Sequence, residues 1–177
     1  MTTTVEPQNF RFVKFDAEMI ARVADELVAA LDIEQPVHIT VDETTPLAKV
    51  TATVDGSITV HVQSGAFEDS KRPREQSEVA TGVNLGRILL RIRDRLQGGF
   101  GEAPTDDELT LRQMAAWETY TVGRLNRLGL SVNQQRWRYN FRNRHGFTDA
   151  ADAAFEQLWA ADRLTWGELE ATSSAIT

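Results

Sequence analysis

At 177 residues with 41% hydrophobic content, the chain is long enough for one sizeable core, and one domain over 1–177 is the expectation. With no cysteine, disulfides, thiolate zinc sites, iron–sulfur clusters and cysteine nucleophiles are all excluded. The net charge of −7 is unevenly placed: residues 71–147 carry +6, between flanks of −8 and −5, so a basic middle must either face an anionic partner or be neutralised within the fold.

In chain order, residues 1–8 are polar and are expected to be disordered. The first fifteen residues match neither a secretory signal nor a transit peptide, and no apolar run approaches the roughly eighteen residues of a membrane span. A cytoplasmic location and no membrane partner are therefore expected. Asp16 reads as the N-cap of a helix with apolar positions Ile20, Val23, Ala24, Leu27, Val28 and Leu31. Three β-rich runs follow, Val37 to Asp42, Ala48 to Val54 and Ser57 to Val62, with Asp55-Gly56 as a hairpin turn between the last two. Alternation puts Val37, Ile39, Val41, Ile58, Val60 and Val62 on a dry face, and His38, Thr40, Thr59 and His61 on a wet one.

After a polar connection, a helix is expected from about Glu75 to Gln97, ended by Gly98-Gly99. Leu85, Ile88, Leu89, Ile92 and Leu96 form one apolar stripe, Val79, Val83 and Leu90 a second, and Asn84, Arg87, Arg91 and Arg95 a polar edge. Such a helix is buried on two sides. Thr105-Asp106-Asp107-Glu108 reads as a capping box for a helix to about Leu128, with Leu111, Met114, Ala115, Val122 and Leu125 as its stripe and Glu118 within it. Thr148 and Thr165 cap two further helices, the first carrying Phe155, Leu158 and Trp159. The fold class is α+β: an N-terminal helix, a short antiparallel or mixed sheet of about three strands, a buried central helix, and a helical part over 104–177 after the helix, sheet and central helix of 16–103.

This order of elements resembles the zincin-like metallopeptidases, with Ile58-Thr59-Val60-His61-Val62 in the place of that family's edge strand and Glu118 on the helix that supplies its inward glutamate. The family's His-Glu-x-x-His motif binds zinc through two histidines on one helical face and activates water with the glutamate. The corresponding stretch here reads Val83-Asn84-Leu85-Gly86-Arg87-Ile88-Leu89-Leu90 and contains no histidine. The resemblance therefore implies a degenerate member without the peptidase chemistry, and no zinc ligand or general base carries over. Glu118 on a core-facing stripe is expected to pair with Arg87 or Arg91, because an unpaired buried charge costs several kcal/mol.

No complete catalytic or cofactor motif is present, so no catalytic residue and no cofactor is assigned. A metal-assisted hydrolase using His38, His61 and Glu118 is the alternative from another class. The stretch with most to offer is Gln135 to His145, where four arginines and three aromatics interleave without a carboxylate. It alternates as a strand, yet as a helix it sets Trp137 beside Phe141 and Arg138 beside Arg142, and its length favours helix. Arginine and aromatic side chains contact phosphates and stack on bases, and they also dominate protein interfaces. Arg136, Trp137, Arg138, Tyr139, Arg142 and Arg144 are thus the expected contact surface for an acidic protein or single-stranded nucleic acid. Arg87, Arg91 and Arg95 are its candidate extension, and a homo-oligomer is a further possibility.

Overall fold

The computed structural model describes residues 3–177, which form a mixed α+β fold with six helices and a four-stranded sheet. The chain divides into two compact units, one ending at Leu89 and the other running from Leu90 to Thr177.

In the first unit, strand β1 (Thr4–Glu6) precedes helix α1 (Ala17–Ala30). The expectation of a disordered N-terminus is corrected over residues 3–8: β1 pairs in parallel with β2 (Val37–Asp42), Val5 and Thr3 are buried, and the Thr3 N–H donates to Asp25. Met1 and Thr2 lie outside the described residues. One buried valine and three backbone pairings order a segment whose composition gives no periodic signal. Asp16 caps α1 as its sequence implies, accepting from the N–H groups of Glu18 and Met19, and the stripe Ile20, Val23, Ala24 and Leu27 is buried.

The sheet runs β1-β2-β4-β3, with β3 (Val50–Asp55) antiparallel to β4 (Ser57–Gln63) and β4 parallel to β2. Gly56, with φ 67°, makes the turn that the Asp55-Gly56 pair predicts, since only glycine adopts that conformation without strain. The dry face is as expected, with Val37, Ile39, Val41, Ile58, Val60 and Val62 all buried. Because the hairpin folds outward, β4 is an inner strand and β3 the edge, which corrects the placing of Ile58–Val62 at the edge. A small ladder of β5 (Glu68–Asp69) and β6 (Arg72–Gln76) occupies what reads as a polar connection. It delays the next helix, α2, to Glu78–Gln97. Leu85, Ile88, Leu89, Leu90 and Ile92 of α2 are buried, whereas Val79 and Leu96, near its ends, are exposed and drop out of the expected stripes.

The second unit is helical. Helix α3 spans Leu111–Arg127 and begins five residues later than the Thr105 capping box implies. Only half of that box forms: the Thr105 N–H and hydroxyl both donate to the Glu108 carboxylate, at 3.2 and 3.0 Å, while the Glu108 N–H goes to the Thr105 carbonyl and closes a turn. Arg95 bonds the carbonyls of Ala103 and Pro104 and the Asp106 carboxylate, which fixes this stretch as a loop. A second box, Thr110 with Gln113, starts the helix instead. Ala116, Trp117 and the residues from Thr119 through Leu125 are buried on all sides, so α3 is the axis of this unit, and Leu111 is exposed. Gly123 permits a close helix–helix approach: a Cβ there would lie 2.1 Å from the Trp159 carbonyl oxygen. Helices α4 (Gln134–His145), α5 (Asp149–Ala160) and α6 (Trp166–Ser174) follow, the last two capped by Thr148 and Thr165 as predicted. Phe100, Trp117, Tyr120, Phe141, Phe155 and Trp166 make the interior largely aromatic.

Candidate binding surface on helix α4

The Arg-aromatic stretch is a helix. Asn133 caps α4 by accepting from the Arg136 N–H at 3.1 Å, and Gly146, with φ 103°, ends it by donating to the Arg142 carbonyl at 2.7 Å. Helical spacing sorts the stretch into three strips. The inner strip holds Trp137, Phe141 and His145 at i, i+4 and i+8. Trp137 is half-buried, and Phe141 is fully buried, stacked on His145 at 4.0 Å and edge-on to Phe155 at 5.7 Å.

The flanking strip turns two of the four arginines toward α5. Arg142 grips Asp152 through two hydrogen bonds of 2.7 and 2.8 Å, and Arg138 pairs with Glu156. Both pairs use i, i+4 spacing on their own helices, so two antiparallel helices joined by a tight turn bring the charges into register. The Arg142 guanidinium holds the Asp152 carboxyl below the usual carboxylate range.

The outer strip holds Arg136, Tyr139, Asn140, Asn143 and Arg144, all exposed. Among the described residues, the Arg136 and Arg144 side chains make no hydrogen bond or ion pair. Tyr139, 58% exposed, meets Phe147, 64% exposed, edge to face at 6.0 Å. Phe147 lies one residue beyond the C-cap and outside the motif as the sequence presents it. Of the six expected contact residues, then, Arg136, Tyr139 and Arg144 face solvent, Trp137 is partly inside, and Arg138 and Arg142 are neutralised.

His145, at the inner end, is buried to 7% exposure and lies between Phe141 O at 3.3 Å and Ser173 Oγ at 2.8 Å. A carbonyl only accepts, so Nδ1 carries the proton and Nε2 accepts from the Ser173 hydroxyl. Burial first, and then the nearby Arg112 cation, push the imidazole pKa down to about 4, against an opposing pull from the Phe141 carbonyl. It is neutral near pH 7 and closes the α4–α6 packing.

The candidate extension is committed internally. Arg91 pairs with Asp106 at 2.6 Å and reaches Glu118 at 4.0 Å, which provides the arginine partner expected for that carboxylate. Arg91 and Arg95 both stack on Trp117, their guanidinium carbons 5.0 and 4.8 Å from the ring centre. Arg87 donates to Asn84 at 3.0 Å.

Sequence reasoning missed the buried polar centre of this unit. Arg124 meets Asp94 through two 2.8 Å hydrogen bonds, Trp117 Nε1 donates to Asp94 at 2.8 Å, and the guanidinium lies 3.6 Å above the centre of the Tyr120 ring. Arg124 Nε also donates to the Tyr120 carbonyl at 3.2 Å. Asp94 continues the Val83 and Leu90 stripe of α2, and Trp117, Tyr120 and Arg124 fall at i, i+3 and i+7 on α3, which is the signal that could have found the cluster. With every strong donor and acceptor satisfied, the centre specifies packing rather than chemistry.

In the first unit, His61 bonds the Thr40 hydroxyl at 3.0 Å, and His38 meets the Thr4 hydroxyl on the same wet face. Among the described residues no group of three or more histidines and carboxylates stands together to hold a metal. A cleft of about 480 Å³ lies between Phe12, Pro46, Glu68 and Arg74. Its Glu43 carboxylate is already spent on the backbone N–H groups of Arg11 and Phe12. Among the described residues no helix is long and apolar enough to cross a membrane. Compared with protein-family models, curated proteins and solved structures, the chain matches none.

Proposed function

We propose that this chain is a non-catalytic binding domain that holds an acidic segment of a protein partner on the outer strip of α4. The observation that carries this reading is the exposed Tyr139–Phe147 pair on the same strip as two arginines that have no acid of their own. Exposed aromatics beside free guanidinium groups combine apolar anchoring with bidentate carboxylate recognition, the composition of interface hot spots. Nucleic acid fits less well. A polyanion needs several uncompensated cations, and here Asp152 and Glu156 neutralise half of the four arginines.

The test is fluorescence anisotropy with two labelled probes, a peptide rich in Asp and Glu around one leucine, and a single-stranded oligonucleotide. Each is titrated at several salt concentrations with wild type and with the Arg136→Ala/Tyr139→Ala/Arg144→Ala variant. Peptide binding that weakens about 30-fold or more in the variant, the counterpart of one hot-spot residue, supports the reading. Oligonucleotide binding with a steep salt slope moves the assignment to nucleic acid. Absence of binding to either probe overturns the proposal.

A further inference from the structure

The two edges of the four-stranded sheet are built differently. The β1 edge is three residues long and is followed by Pro7, both of which blunt a sheet edge. The β3 edge is six residues long, and Val50-Thr51-Ala52-Thr53-Val54 contains no charge, proline or glycine. Two hydrogen bonds fix which backbone groups of β3 are used. Gln63 N–H donates to the Lys49 carbonyl, at the near end of the β3–β4 ladder, and Ile58 N–H points the other way, to Pro36 beside β2. Hydrogen-bonded and non-bonded pairs alternate along an antiparallel ladder. Residues 49, 51 and 53 therefore face β4, and the N–H and C=O groups of Val50, Ala52 and Val54 face outward.

We infer that β3 is the self-association surface of this protein, pairing antiparallel with β3 of a second copy about a two-fold axis at Ala52. In that register Ala52 lies opposite the partner's Ala52 and Val50 opposite the partner's Val54. All three outward-facing residues then fall in hydrogen-bonded pairs, and two sheets of four strands become one of eight. The side chains agree with the backbone. Val50 and Ala52, half-buried, and Val54, 44% exposed, extend the dry face, while Thr51 sits opposite the partner's Thr53 on the wet face. At both ends Lys49 lies directly opposite the partner's Asp55, and within one chain neither side chain has a hydrogen bond or ion pair among the described residues. One register thus satisfies backbone, apolar and charge complementarity together, as a self-complementary two-fold contact requires. This surface belongs to the first unit, the outer strip of α4 to the second.

Sedimentation velocity over a concentration series tests the inference. Wild type is expected to populate a dimer. Ala52→Pro removes a donor that faces solvent in the single chain, where an edge strand tolerates proline, and should raise the dimer dissociation constant at least about tenfold. Lys49→Glu should weaken the dimer at low salt and less so at high salt. Ala52→Cys gives a chain whose single cysteine faces its own copy across a hydrogen-bonded pair. The Cα separation there, about 5.5 Å, falls within the disulfide range. Under mild oxidation it should cross-link to a covalent dimer, whereas Val50→Cys, facing a valine, should not. A wild-type chain that stays monomeric at every concentration overturns the inference. So does a dimer that Ala52→Pro leaves unchanged and Ala52→Cys fails to cross-link.

Discussion

In the interior of the second unit Arg124 meets Asp94 through two parallel hydrogen bonds of 2.8 Å, and at the α4–α5 rim Arg142 meets Asp152 through two of 2.7 and 2.8 Å. Bond length does not separate them. The first pair is 8% and 3% exposed in its side chains and also carries the Trp117 indole N–H and the Tyr120 ring, while both members of the second are 31% exposed. Breaking a buried pair strands a charge that water cannot reach, whereas water and salt replace a lost partner at the rim. Geometry says that both pairs form, and burial decides what each is worth.

The largest expected effect comes from breaking the buried pair. Asp94→Ala leaves the Arg124 charge and the Trp117 N–H without an acceptor, and should cost about 3–5 kcal/mol of stability. All four tryptophans lie in the second unit, so their fluorescence in a urea melt reads this change directly. Replacing both partners, as in Asp94→Leu/Arg124→Met, should recover the part of the loss that comes from the stranded charge, because two apolar side chains of similar size need no partner, while the Trp117 N–H still lacks its acceptor. A double variant no more stable than Asp94→Ala would mean that the pair is required for a unique packing arrangement.

Next in size is His145, which meets the interior as a neutral group on the same helix whose rim carries Arg142. Its folded pKa, about 4, lies below the ordinary imidazole value, so the unfolded chain binds the proton more readily. Stability is therefore full above about pH 6.5 and falls as pH drops from there toward 4, by up to about 3 kcal/mol for this group. Urea midpoints between pH 7 and 4.5 should decline in wild type and much less in His145→Gln. An unchanged slope in the variant would assign the decline to carboxylates.

The contrast between the pairs also explains what the sequence makes legible. The first unit is written in period two and period 3.6: alternating valines and isoleucines, Asp16 at a helix start and Asp55-Gly56 at a turn all state their own conformation. Strand β1 does not, because a single valine in three residues carries no period, and its order comes from pairing with β2. The start of α3 moved because Arg95, on another helix, claims the residues around the first capping box. Asp94 and Arg124 stand thirty residues apart, and only the stripe each shares with apolar neighbours on its own helix marks it as inward-facing, with nothing local to name its partner. On α4 the sequence names the right stretch without saying which arginines remain free. That depends on Asp152 and Glu156, whose four-residue spacing matches that of Arg138 and Arg142 once the two helices fold back on each other.

The smallest expected effect is at the rim. Arg142→Ala removes both hydrogen bonds to Asp152, and with the guanidinium gone the carboxyl should titrate upward toward the ordinary range, visible in carboxyl-detected NMR. The urea midpoint should scarcely move, and the little it moves should shrink further in high salt, because water already reaches this pair. Phe147, over which the Arg142 guanidinium sits at 5.9 Å, would be uncovered at the same time. If the pair serves mainly to keep cation and carboxylate satisfied beside the Tyr139–Phe147 surface, Arg142→Ala should weaken acidic-peptide binding less than Arg144→Ala does, because the Arg142 guanidinium is already committed to Asp152. A loss of stability as large as that of Asp94→Ala would erase the distinction between the two pairs and place the rim in the core.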